Sequence, residues 1–322
     1  MNTLCAGFAR VNVTPMLGIG MAGYFIPRKA DGVLDQLEIN ALALACGETK
    51  VVLMSIDHCG IVKEVLNPMR QHVCDVTGLP WEAVYMHSTH THTGPQVGGD
   101  SLRQVGGNQQ YTDYLGVKLA DSAVMAIRDL KPAILGYAVG QAPRIAFVRR
   151  FRMRDGSVQT NPGVDNPNIL HPIGDVDERV NVLRFDREKD TVVLVNFGNH
   201  PCVVNGPRIS ADWPGFVRTT VEKVFDNTHC ICFNGAQGDV NHVNVHPRGG
   251  YLNGMFHDFD DVSRGYSHAK YMARVVTGGV LQAFDKVQYV DVDSLKCLER
   301  TIHVPANLPK SEDLPEARRI NA

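Results

Sequence analysis

The sequence lacks most of the features that give a function away. It has no run of lysines or arginines, and 32 basic against 34 acidic side chains leave a formal charge of −2. A nucleic-acid or anionic-membrane surface needs clustered positive charge, so no nucleic-acid partner is expected. No apolar stretch reaches the ~20 residues of a membrane span, so no transmembrane segment is expected either. Met1 to Thr14 has no basic start before an apolar core, so no signal peptide is read there. Eight cysteines occur without one C-x-x-C, which excludes a zinc ribbon and a thioredoxin-type redox pair. Several lie in apolar runs, where cysteine behaves as a small hydrophobe; a reduced, cytoplasmic setting is the expectation. H-E-x-x-H and G-x-S-x-G are missing as well, and the glycine-bearing stretch Gly235 to Gly238 has no P-loop lysine. No repeat, low-complexity tract or linker divides the 322 residues, so 1–322 reads as one domain. Nothing in the sequence fixes an oligomeric state.

What is present is an alternation of apolar runs of strand length with stretches of helical spacing. Residues 39–46 and 51–56 read as a buried hairpin around Gly47 to Lys50, and 180–185 and 192–197 as a second around 186–190. Helices are predicted over 62–76, 111–130, 213–225 and 266–284, the third with Asp212 as N-cap and Pro214 in its first turn. Val287 to His303 reads as mostly strand, Gly94 to Gln110 as a long loop, and Ser311 as the N-cap of a terminal helix. Hairpins mixed with strand–helix alternation predict an α/β fold, with mixed β-sheets in the core, flanking helices and a site at the carboxyl ends of strands.

The richest stretch is Tyr85-Met86-His87-Ser88-Thr89-His90-Thr91-His92-Thr93-Gly94-Pro95. In a strand, His90 and His92 would share a face and His87 would take the other. Two imidazoles at a strand end make half of a metal site, and His200 ends another apolar strand, with Asp212 and Asp239 in loops nearby. The metallo-β-lactamase pattern fails, because Gly94-Pro95 stands where its Asp-His belongs. A metallo-phosphoesterase would need more aspartates at strand ends. Asp57 has an ordinary role open to it, capping the helix that follows. Arg149 and Arg150 could anchor a carboxylate or simply line an exposed edge.

In order along the chain stand Thr14-Pro15 with Gly23-Tyr24, Ser55-Ile56-Asp57, Thr89 to Pro95, Val148-Arg149-Arg150, Asn196 to Pro201, Ser210 to Gly215 and Gly235 to Asn241. Together they resemble the catalytic domain of the neutral/alkaline, non-lysosomal ceramidases. The resemblance implies a zinc-dependent amidohydrolase that splits an N-acyl lipid or related small amide into an acid and an amine. It implies His90 and His200 as zinc ligands, His92 as the acid–base histidine beside the metal, Arg149 as a catalytic-site arginine, and Tyr24 and Asn241 as substrate-binding residues. The family's remaining zinc ligands, a glutamate and a tyrosine, come from a later part of its domain. On this reading the chain is truncated before them and lacks the family's β-sandwich. Asn241 stands where the family carries a functional serine, which weakens the case for ceramide itself. The alternative is a non-catalytic or incomplete relative acting as a binding protein.

Overall fold

Strands whose apolar side chains occupy both parities can be buried on both faces, and this sequence has many of them. The computed structural model describes residues 2–98, 108–246, 265–306 and 310–321. Its first half runs β1 (Leu4–Asn12), β2 (Glu38–Cys46), β3 (Thr49–Ile56), α1 (Lys63–Thr77), β4 (Val84–Ser88) and α2 (Gln109–Arg128). The second half repeats that order: β5 (Lys131–Gln141), β6 (Arg179–Arg187), β7 (Thr191–Phe197), α3 (Asp212–Val224), β8 (Thr228–Asn234) and α4 (Tyr266–Phe284). A short β9 (Gln288–Val290) follows.

The two halves also pair alike. In each, the first three strands are antiparallel neighbours, and the fourth lies parallel to the third after a helical crossover. The helix after the fourth strand then packs on the first two. β1 and β5 join the halves through Cys5 opposite Pro132 and Ala6 opposite Lys131. The result is one nine-stranded mixed sheet in the order β8-β7-β6-β5-β1-β2-β3-β4, with β9 also against β5. The duplication leaves no legible repeat in the sequence, because only the apolar pattern is shared.

Side-chain parity decides the layers. Ile39, Ala41 and Ala43 of β2 face α1 and α2, whereas Val193, Val195 and Phe197 of β7 face α3 and α4. The opposite parities meet each other: Leu4, Ala6 and Leu42 pack with Phe185, Val192, Leu194, Ile231 and Phe233. The sheet therefore doubles over, and its layers are helix, sheet, sheet, helix. Charged ties cross the same seam. Arg218 of α3 is buried and grips Asp57 at 2.9 and 2.5 Å. Arg10 of β1 meets Glu222 of α3 at 2.6 and 2.8 Å. Burial disfavours charge on Arg218, but Asp57 and Glu38 hold the guanidinium more firmly protonated than usual.

Several expectations need correction. Only Gln288–Val290 of the 287–303 stretch is strand. It pairs with Leu135 to Tyr137, while β1 already occupies Lys131 and Pro132 on that edge, so the ladder has little room to continue. Asp212 is not an N-cap; it opens α3 with φ +57° after Ala211, and its carboxylate is buried. Asp57 caps nothing and instead pairs with Arg218. Lys310, not Ser311, precedes the terminal helical turn. A short strand, Ile169–Pro172, also pairs with the arginine-bearing Arg150–Met153. Of the long loop at 94–110, residues 99–107 lie outside the described residues.

Candidate metal centre

Four loops meet at the carboxyl ends of β3, β4, β7 and β8, and all of them follow parallel strand pairs. The β4 strand ends at Ser88, so His90 and His92 are not strand residues as expected. His90 adopts φ +74°, a left-handed turn, with its amide held by the carbonyl of His58 at 2.8 Å. The two rings nevertheless face the same way, because the intervening threonines are pulled inward. Thr89, Thr91 and Thr93 are fully buried. Thr89 donates to Asp57 at 3.2 Å, and Thr91 and Thr93 donate to the carbonyl of Ser210 at 2.7 and 3.0 Å. His87, of opposite parity, stacks on Phe233 at 4.7 Å between the two halves.

Asn234, at the end of β8, fastens the loops together. Its amide nitrogen donates to Thr89 and Asn199 carbonyls at 3.1 and 2.9 Å, and its oxygen accepts the Asn199 amide at 3.1 Å. His200 follows directly, so it arrives beside His90 and His92. The His92 Nε2 lies 3.3 Å from that of His90 and 3.0 Å from that of His200. Ring centroids in the trio are 4.7–5.0 Å apart.

The tautomers follow from the neighbours. His90 Nδ1 meets the carbonyl of Cys59, and His200 Nδ1 meets that of Gln237 at 3.1 Å. Each must therefore be N–H at Nδ1, which turns a bare Nε2 lone pair toward the centre. A single Nε2–H on His92 can serve only one of those lone pairs. A cation serves all of them. Tetrahedral zinc, with Zn–N bonds of about 2.0–2.1 Å, holds its nitrogens about 3.3 Å apart, close to the 3.3 and 3.0 Å that separate His92 Nε2 from its two neighbours. Burial holds His92 down to about 3 and His200 down to about 4, and pushes His90 below its ordinary value. The positive charge of Arg149 adds to all three shifts. Neutral imidazoles are what a metal requires. A second donor group overlaps the first: Cys59, His90 and His92 each place a ligand atom within 4.8 Å of the others. Cys59 was passed over in the sequence because nothing pairs it with another cysteine.

Around the trio, Tyr24 stands edge-on to His92 at 5.5 Å, its hydroxyl donating to the Cys202 or Val204 carbonyl, each 3.3 Å away. Arg28 stacks over Tyr24 and donates to the His92 carbonyl at 2.7 Å. No sequence signal marked Arg28 beyond its place in a glycine-rich loop. Arg149 is half-buried, with its amide bonded to Asp239 at 3.0 Å. Asn241 is buried, donating to Asn161 at 3.1 Å and accepting from Val243 at 3.0 Å. Asp212 accepts from Val204 and Trp213 amides at 2.9 and 2.6 Å, and burial raises its carboxyl to about 7. Asp239 pairs with Arg150 on the surface at 3.3 Å.

No protein-family model and no curated protein matches the sequence. Solved structures do match the fold. The crystal structure of neutral ceramidase from Pseudomonas aeruginosa superposes with a TM-score of 0.70 at 16% identity, over 89% of this chain and 45% of that one. A ceramidase complexed with C2 gives 0.70 at 15%, over 89% and 44%. The chain thus has a neutral-ceramidase fold and spans less than half the length of those two proteins. Among the described residues, no helix is long and apolar enough to cross a membrane.

Proposed function

We propose that the chain is a zinc-dependent amide hydrolase acting on an N-acyl lipid or a related small amide. The observation that carries this reading is that His92 Nε2 lies 3.3 Å from that of His90 and 3.0 Å from that of His200, with all three rings held neutral, inside a fold shared with neutral ceramidases. His90 and His200 are the ligands on this reading, since both have the backbone carbonyl partner typical of a metal-bound histidine. Zinc would supply Lewis acidity toward the amide carbonyl and an acidified water. His92, between the two ligands, moves the proton to the departing amine. Arg149 holds the polar head or the developing anion, Tyr24 shapes the wall beside His92, and Asn241 stiffens the floor under the head group. Both halves of the sheet build the one centre, so the chain acts as a single catalytic domain.

The test is plasma mass spectrometry of the purified 322-residue protein, with His200→Ala beside it. About one zinc per chain, lost in the variant, together with release of amine from N-acyl amides, is the expected result. Zinc without turnover of any amide would leave a metal-binding relative. Equal zinc in both proteins would sink the site.

A further inference from the structure

The pseudo-equivalence of the two halves singles out a residue that the histidine trio does not use. His200 is the third residue past the end of β7; Cys59 is the third past the end of β3, the matching strand of the other half. Both lie in the loop that precedes a crossover helix. Cys59 already bonds the centre through its carbonyl, which accepts from His90 Nδ1, and its Sγ lies 4.0 Å from that nitrogen. Sulfur and imidazole nitrogens from Cys59, His90 and His92 fall within 4.8 Å of one another. A zinc site with Zn–S of about 2.3 Å and Zn–N of about 2.0–2.1 Å spaces such atoms about 3.3–3.6 Å apart. Cysteine has one side-chain torsion before its sulfur, so Sγ moves toward or away from the rings by χ1 alone.

We propose that Cys59 Sγ is a ligand to the ion held at His90, and that this site is a mixed imidazole–thiolate one. The inference rests on the metal reading above. Binding breaks the S–H bond, forms the sulfur–metal bond and delivers the proton to solvent. A thiolate would select a soft or borderline ion such as zinc over magnesium or manganese. It would also place one negative charge beside the cation in a centre otherwise built from neutral rings.

Cobalt(II) makes the claim visible, since thiolate coordination adds a near-ultraviolet charge-transfer band to the visible d–d bands. The metal-free 322-residue protein would be titrated with cobalt(II), alongside Cys59→Ser and Cys202→Ser, the latter removing the cysteine two residues past His200. The expected result is a charge-transfer band in the wild type and in Cys202→Ser that Cys59→Ser loses. Cobalt affinity in Cys59→Ser should fall on the order of 10-fold or more, as ligand-shell losses do. Bound cobalt with no charge-transfer band, or a band that survives in Cys59→Ser, would overturn the proposal and leave the histidine site intact. Failure of the wild type to bind cobalt at all would overturn both. If Cys59→Ser does not fold, alkylation of wild-type Cys59 with and without cobalt decides: protection by the ion supports ligation, and an unchanged rate overturns it.

Discussion

The two halves of the molecule run through the same elements and pair their strands alike, yet they furnish the centre unequally. In each, an imidazole Nδ1 bonds a carbonyl of the neighbouring loop, but the direction is reversed. In the first half the ring, His90, comes from the loop after β4, and the carbonyl is that of Cys59 after β3. In the second half the ring, His200, comes after β7, and the carbonyl is that of Gln237 after β8. The shared scaffold brings the loops together; which loop carries the ring is free to change. Among the described residues, only the first half adds a further ring to the trio, His92, and only there does a run of buried threonines hold two rings on one side. A duplicated fold can thus build an asymmetric site.

The largest expected effect tests that asymmetry. His92→Ala should keep the metal and lose on the order of 10²–10⁴ in rate, the usual worth of a general acid or base. Rate assays paired with metal analysis decide it, and loss of metal equal to that in His200→Ala would make His92 a third ligand. Next comes the seam. Arg218→Ala leaves Asp57 buried without its partner, and chemical denaturation should show a loss of about 3–5 kcal/mol. A loss below about 1 kcal/mol would mean that the halves hold together without this pair.

Two glycines probe whether the halves pack equivalently. A Cβ on Gly7 of β1 would lie 2.1 Å from the Ala126 carbonyl of α2, and one on Gly140 of β5 would lie 1.9 Å from the Gly279 carbonyl of α4. Backbone cannot yield as a side chain can, so Gly7→Ala and Gly140→Ala should each destabilise by about 1–3 kcal/mol or more. Thermal unfolding showing one tolerated and the other not would break the equivalence. The smallest effect is in pH. Burial holds His58 down to about 3 and His87 to about 4, against about 6.5 unfolded. Between those values the unfolded chain binds the proton and the folded one does not. Stability should therefore fall as pH drops from about 6.5, by about 1.4 kcal/mol per pH unit for each histidine, and flatten below about 4 for His87 and about 3 for His58. A denaturation series in metal-free protein, with His58→Gln and His87→Gln, reads out each contribution.

Much of this was legible beforehand, for reasons that particular residues make plain. The hairpin around Gly47 and the helix at 266–284 followed from apolar spacing, which depends on neighbours a few positions away. The pairing of His90 with His92 is also visible in the sequence, but a left-handed turn and buried threonines, not strand alternation, align the rings. The 287–303 stretch failed because its strand propensity needed a free ladder edge, and β5 had little to offer. Asp57 failed because its partner is 161 positions away.

The sequence by itself determined which segments could be buried on one face or two, where the chain must turn, and which side chains could bind a cation. Those are local matters of periodicity, backbone freedom and donor chemistry. Only the tertiary structure decided that the sheet folds over on itself, that the second half repeats the first, and that His200 meets His90 and His92. The same folding sets Cys59 beside them and turns Asp57 into half of a buried ion pair. Such encounters depend on which surfaces close against each other, and distant loops can meet only after the doubled sheet has brought its strand ends together.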